Sequence, residues 1–131
     1  VRQRIERGDF AGDDPDWQPA EERARRLFDA GKLDEPAILD AIERGDYAFA
    51  RYALSYLSGL PFETVTRMLN TASGKAVTAL AWQAGLSMPA ALLVQQKIAR
   101  VSPRSLVKPA PGDAYPMSEA DLNWYIECVG G

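Results

Sequence analysis

The sequence predicts an all-α protein: six to seven short helices in antiparallel pairs, forming an α-solenoid or an irregular helical bundle. Three observations predict it. Alanine and leucine occur 20 and 13 times, against five isoleucines and four threonines, and Ala and Leu lose little side-chain freedom in a helix. No stretch sustains the period-2 alternation of a half-buried strand. Glycines and N-capping Asp or Ser residues recur at intervals of one short helix, as expected for rods joined by tight turns.

The elements follow in order. A helix over 19–30 starts with Pro19 and carries Glu21 and Glu22 in its first turn. Arg25 and Arg26 lie toward its end and Gly31 stops it, an order that suits the helix dipole. Ala20, Ala24, Leu27 and Phe28 form its apolar stripe. Asp34 caps a second helix, which runs to Arg44 and stops at Gly45; Ile38, Leu39, Ala41 and Ile42 face inward. Asp46 caps a third, over 47–58, apolar nearly all round and therefore central. Pro61 opens a fourth, to Leu69, with Val65, Met68 and Leu69 on one side and Asn70 as its stop. Ser73 caps a fifth, over 74–84, and Gly85 ends it. Ser87 caps a sixth, to about Arg100, with Ala90, Leu93, Val94 and Ile98 inside. Ser118, with Asp121 three residues on, starts a last helix to about Val129. Its expected buried side is Leu122, Tyr125, Ile126 and Val129.

This gives one domain in four parts: a partly irregular segment over 1–18, a helical core over 19–101, a Pro-rich arm over 102–117, and a C-terminal helix over 118–131 docking on the core. With 47% hydrophobic and 25% charged residues the chain is composed to fold. Residues 76–96 form an uncharged run of bilayer-spanning length. The break Gly85-Leu86-Ser87-Met88-Pro89 divides it into two soluble helices. The chain begins Val1-Arg2-Gln3-Arg4 and reads as a segment of a longer protein. One cysteine and no export signal place it in the cytoplasm.

Ile5-Glu6-Arg7-Gly8-Asp9-Phe10-Ala11 nearly repeats Ile42-Glu43-Arg44-Gly45-Asp46-Tyr47-Ala48, and such spacing suits repeating helix pairs. Further along, Gly31-Lys32-Leu33, then Ala41 to Gly45-Asp46, Leu57-Ser58-Gly59-Leu60-Pro61, and Ala79-Leu80 with Ala84-Gly85-Leu86 make a recognisable series. Over 31–87 the chain resembles the bacterial family called "domain of unknown function 2336". The resemblance implies an all-helical, HEAT-like arrangement and no known activity or catalytic residues.

Histidine is absent and Cys128 is the lone cysteine. A histidine triad, base or metal site is excluded, and no intrachain disulfide forms. Asp9, Asp13, Asp14 and Asp16 lack EF-hand spacing and read as a solvated loop. Ser73-Gly74-Lys75 resembles a P-loop, but Leu69 and Ala76 stand where Gly and Ser or Thr are required. A helix start with Gly and Lys remains as a weak anion site. Cys128 reads as a packing residue without an activating neighbour. The expected protein is therefore not an enzyme and uses no cofactor.

Charge is unevenly spread. Between 64 and 112 there is no Asp or Glu, while Arg67, Lys75, Lys97, Arg100, Arg104 and Lys108 give +6. The remainder carries nine basic and 18 acidic residues. Such a split predicts an electropositive face for nucleic acid, an acidic protein or a second copy; the plainer reading scatters the six over different helix faces. Tyr52 and Tyr56, one turn apart, and Trp82, off its helix's apolar face, are candidate contacts. For the tyrosines the plainer reading is inter-helix packing. The expected function is a non-catalytic protein–protein interaction or scaffold module within a larger bacterial regulatory protein, using Tyr52, Tyr56 and Trp82. The alternative is a nucleic-acid-binding helical module using Arg67, Lys75, Lys97, Arg100 and Arg104. The expected partner is a protein, with nucleic acid or a homodimer as further possibilities and no membrane.

Overall fold

A computed structural model describes residues 19–130. The first copy of the repeated junction and the acidic loop at 8–16 fall outside them. The described residues form α1 (Ala20–Asp29), α2 (Glu35–Arg44), α3 (Tyr47–Ser58), α4 (Phe62–Leu69), α5 (Gly74–Gln83), α6 (Met88–Leu93) and α7 (Glu119–Gly130). A π-helical turn, Val94–Ile98, prolongs α6. Among the described residues there is no strand, and the protein is an all-α helical bundle. α1 packs on α3, α3 on α5, and α5 on α7, with α2, α4 and α6 alongside.

The helix ends obey local chemistry. The side chains of Asp34, Asp46, Ser73, Ser87 and Ser118 each accept a hydrogen bond from the backbone N–H three residues on. Each satisfies a donor that the first turn leaves orphaned. Gly45 and Gly59 close α2 and α3 in the left-handed conformation, at φ 77° in both, which a side chain would strain. Gly85, at φ 82°, divides the uncharged run into α5 and α6. No helix among the described residues is long and apolar enough to cross a membrane.

The core is built on Ile38, Leu54, Met68, Leu69, Leu80, Met88 and Leu122, all at most 2% exposed. Burying each such side chain is worth about 1.5–3 kcal/mol. Between them sit buried alanines, Ala50, Ala53, Ala76, Ala79, Ala81 and Ala91. They add little area but let helix backbones approach closely. Two inward assignments need correction. Phe28 is 44% exposed, because the inner stripe of α1 is filled by Ala24 with Ala20 and Leu27 partly covered. Among the described residues of α7 Leu122 is fully buried, while Tyr125, Ile126 and Val129 are half-buried, at a helix whose main packing partners among the described elements are α4 and α5.

The arm is ordered along the core. After Ile98 the chain turns at Arg100, φ 54°, and Val101 is buried. Two short 3-10 turns follow, Pro103–Ser105 and Pro111–Asp113. Gln95, fully buried, grips the arm twice: its Nε2 donates to the Val107 carbonyl at 2.9 Å and its Oε1 accepts from the Val107 N–H at 2.8 Å. Further on, the Tyr115 hydroxyl donates to the Leu86 carbonyl at 2.6 Å. Burial, with the nearby charge of Glu35, pushes the Tyr115 phenol well above its ordinary range. Glu35 itself accepts from the N–H and hydroxyl of Ser87, joining the start of α2 to the start of α6.

Among the described residues the α2–α3 junction carries the most connected ion pair. Arg23 of α1 donates to Asp46 at 2.8 Å, both side chains being about one-fifth exposed, with Arg44 at 4.0 Å. The Arg23 guanidinium also lies over the Phe49 ring. Burial pushes the Asp46 carboxyl up, but the hydrogen bonds from Arg23 and the Phe49 N–H and the charges of Arg23 and Arg44 outweigh it and hold it below the usual range. Its contribution to stability is therefore complete above the unfolded value, about 3.9, and disappears as pH falls through the folded one. Asp46→Asn keeps a capping oxygen and removes the charge. Near pH 6 it should lose about 1 kcal/mol. That deficit should shrink as pH falls below the unfolded value and through the lower folded one, as urea titrations of both proteins would measure.

Candidate interaction surfaces

The periodicity of α3 places Tyr52 and Tyr56 one turn apart beside its buried stripe of Phe49, Ala50, Ala53 and Leu54. Each finds a second ring on another helix. Tyr52 stacks on Phe62 of α4, centroids 4.0 Å apart and planes 17° from parallel. Tyr56 stacks on Phe28 of α1 at 5.4 Å and 27°. Four rings thus run across α1, α3 and α4, with Phe28 exposed and the other three half-buried. Stacking of this kind adds about 0.5–1.5 kcal/mol per pair beyond area, so the row both joins helices and presents a firm apolar surface.

Trp82 is half-buried on α5 and stacks with none of these rings. Trp124, on α7, is 56% exposed and meets Tyr125 edge-on at 4.8 Å. Lys75, Met117, Asp121, Trp124 and Tyr125 line a shallow hollow between α5 and α7.

Arg67, Lys75, Lys97, Arg100, Arg104 and Lys108 are all exposed. Among the described residues none of them forms an ion pair, whereas Arg23, Arg26 and Arg44 do. Lys75, Lys97 and Arg104 border depressions, and not all the same one. Lys97 borders a groove of about 750 Å³ between α2 and the end of α6, beside Asp40, Glu43, Leu39, Tyr47 and Leu93. Lys75 and Arg104 meet at a separate cleft of about 360 Å³, where the arm passes Ser73 and Gly74. Of the basic run, Lys97 is thus separated from the pair Lys75 and Arg104, which the returning arm brings together.

Sequence reasoning missed Phe62, the exposure of Phe28, and the meeting of Lys75 with Arg104. An aromatic following the helix-opening Pro61 was the available signal for the first. The last is a tertiary contact with no local signature.

No group of three or more metal-ligating side chains occurs among the described residues. Cys128 is exposed. A family model for uncharacterised proteins conserved in bacteria, DUF2336, matches residues 1–115. The chain belongs to the DUF2336 family. Neither a curated protein nor a solved structure matches it. The DUF2336 match takes in α1 to α6 and the arm up to Tyr115, while α7 lies beyond it. The four-ring row and the Lys75–Arg104 cleft therefore both belong to the DUF2336 portion.

Proposed function

We propose that this chain is a non-catalytic protein–protein interaction or scaffold module within a larger bacterial regulatory protein. The observation that carries the reading is the row Phe28–Tyr56–Tyr52–Phe62, laid across three helices with its outer end in solvent. Rigid aromatic anchors with little rotamer entropy to lose are the usual centres of protein interfaces. Trp82, on another helix, serves as a second contact. The reading extends to a HEAT-like stacking of helix pairs, supported by the succession of α1, α3, α5 and α7.

The alternative, a nucleic-acid-binding module, draws on the unpaired cations and on Lys75 and Arg104 sharing a cleft. The separation of Lys97 from that cleft weakens it, because phosphate binding sums over cations along one track.

Substituting Tyr56 with Ala should lower capture of a protein partner from native lysate at least about tenfold, the order of one hot-spot loss, with helicity unchanged by circular dichroism. Equal capture by both proteins sinks the reading. Titrating duplex DNA and RNA at two salt concentrations separates the alternatives: steeply salt-dependent binding would favour the nucleic-acid module instead.

A further inference from the structure

We propose that two copies of this chain associate about a two-fold axis through the outer face of α1, with Glu21 of each copy opposite Arg25 of the other. The inference rests on the interaction reading above and names the partner as a second copy.

Glu21, Arg25 and Phe28 lie four and then three residues apart, so they share one side of α1, and all three are exposed. Two Glu–Arg couples on this helix have identical spacing. Glu22 and Arg26 close on each other at 3.3 Å. Glu21 and Arg25 form no ion pair among the described residues. Two opposite charges therefore stand open, one turn apart, beside an exposed aromatic ring.

A two-fold interface is self-complementary: if residue i meets residue j, then j meets i. Antiparallel apposition of α1 with its copy satisfies this for the open couple. Glu21 faces Arg25 twice, once on each side of the axis. Phe28, held by its stack on Tyr56, then flanks the charged centre at both ends, by the start of the other copy's helix. Ten residues of α1 span about 15 Å, so the contact falls at the small end of interfaces and describes a transient dimer.

Sedimentation of the full chain over a concentration series tests the arrangement. Wild type should show a reversible monomer–dimer equilibrium. Arg25→Glu puts four carboxylates at the axis and Glu21→Arg puts four guanidiniums there; each should weaken self-association at least about tenfold. Mixing the two variants in equal amounts should restore association, since each reversed charge then meets its opposite. Both substituted positions are exposed, and circular dichroism should show unchanged helicity. The dimer is overturned if wild type stays monomeric up to about 0.5 mM, or if the reversals leave self-association unchanged, or if the mixture behaves as the sum of its parts. The interaction reading has its own readout: a chain that stays monomeric yet loses capture with Tyr56→Ala overturns the dimer and leaves that reading standing.

Discussion

Gly74→Ala should destabilise the protein by about 2–3 kcal/mol, the upper range for overpacking a tight site, although helix propensity alone favours the alanine by up to about 1 kcal/mol. Gly74 opens α5, and its backbone is not in the left-handed region, so conformational freedom does not explain the glycine. Close approach does. A Cβ at this position would run into the backbone carbonyl oxygen of Ser105 and would sit 2.8 Å from Oε1 of Gln95. The first is main chain of the arm. The second is the carboxamide oxygen that receives the Val107 N–H. Neither is the loose end of a flexible side chain, so the added methyl is relieved only by lifting the arm. Two readouts follow together. The urea midpoint falls, and trypsin cleaves faster at Arg104, which the docked arm holds in a 3-10 turn. A variant with wild-type stability and wild-type cleavage would show that the arm does not depend on this contact.

The same position shows what the sequence conveys and what it withholds. Ser73 as a cap and Gly74 as the first helical residue are readable, because capping is a bond between a side chain and an N–H three residues away. Asp34, Asp46, Ser87 and Ser118 are legible for the same reason, as are the stops at Gly45 and Gly59. What Gly74 touches is not legible: Ser105 lies 31 positions on and arrives there through a π turn that nothing local announces. Gln95 is hidden similarly. A glutamine in an amphipathic stretch reads as surface, yet Gln95 lies on the inner side, four residues after buried Ala91 and three before buried Ile98, and its partner Val107 arrives from the arm. The interaction surfaces divide along the same line. Tyr52 and Tyr56 are neighbours by helical period, but their partners Phe62 and Phe28 come from other helices. The basic run, continuous on paper, is split between a groove holding Lys97 and a cleft holding Lys75 and Arg104.

Gln95→Leu should be the costlier of the two changes to the arm. Leucine fills nearly the same space and loses both hydrogen bonds to Val107. An N–H and a carbonyl, each formed into a partly buried bond, are then left without partners, at about 1–3 kcal/mol apiece. The expected loss is about 3 kcal/mol, with the same acceleration of cleavage at Arg104. Because Gly74→Ala acts by lifting the same segment, the double variant should lose clearly less than the sum of the singles, the mark of two contacts serving one element. Strict additivity would mean that the two residues hold the arm independently. Gln95→Glu supplies the control for polarity. A protonated carboxyl still donates one hydrogen bond and accepts another, whereas a carboxylate offers the Val107 carbonyl only repulsion. Burial and that carbonyl raise the folded pKa above the unfolded value, about 4.3. Sign follows directly: the glutamate variant is closest to wild type below that value and loses stability as pH rises through the folded pKa. The leucine variant, with nothing to titrate, keeps a constant deficit relative to wild type over the same range. Parallel curves for the glutamate and leucine variants would place residue 95 in contact with water and remove the carboxamide from its role as the anchor of the arm.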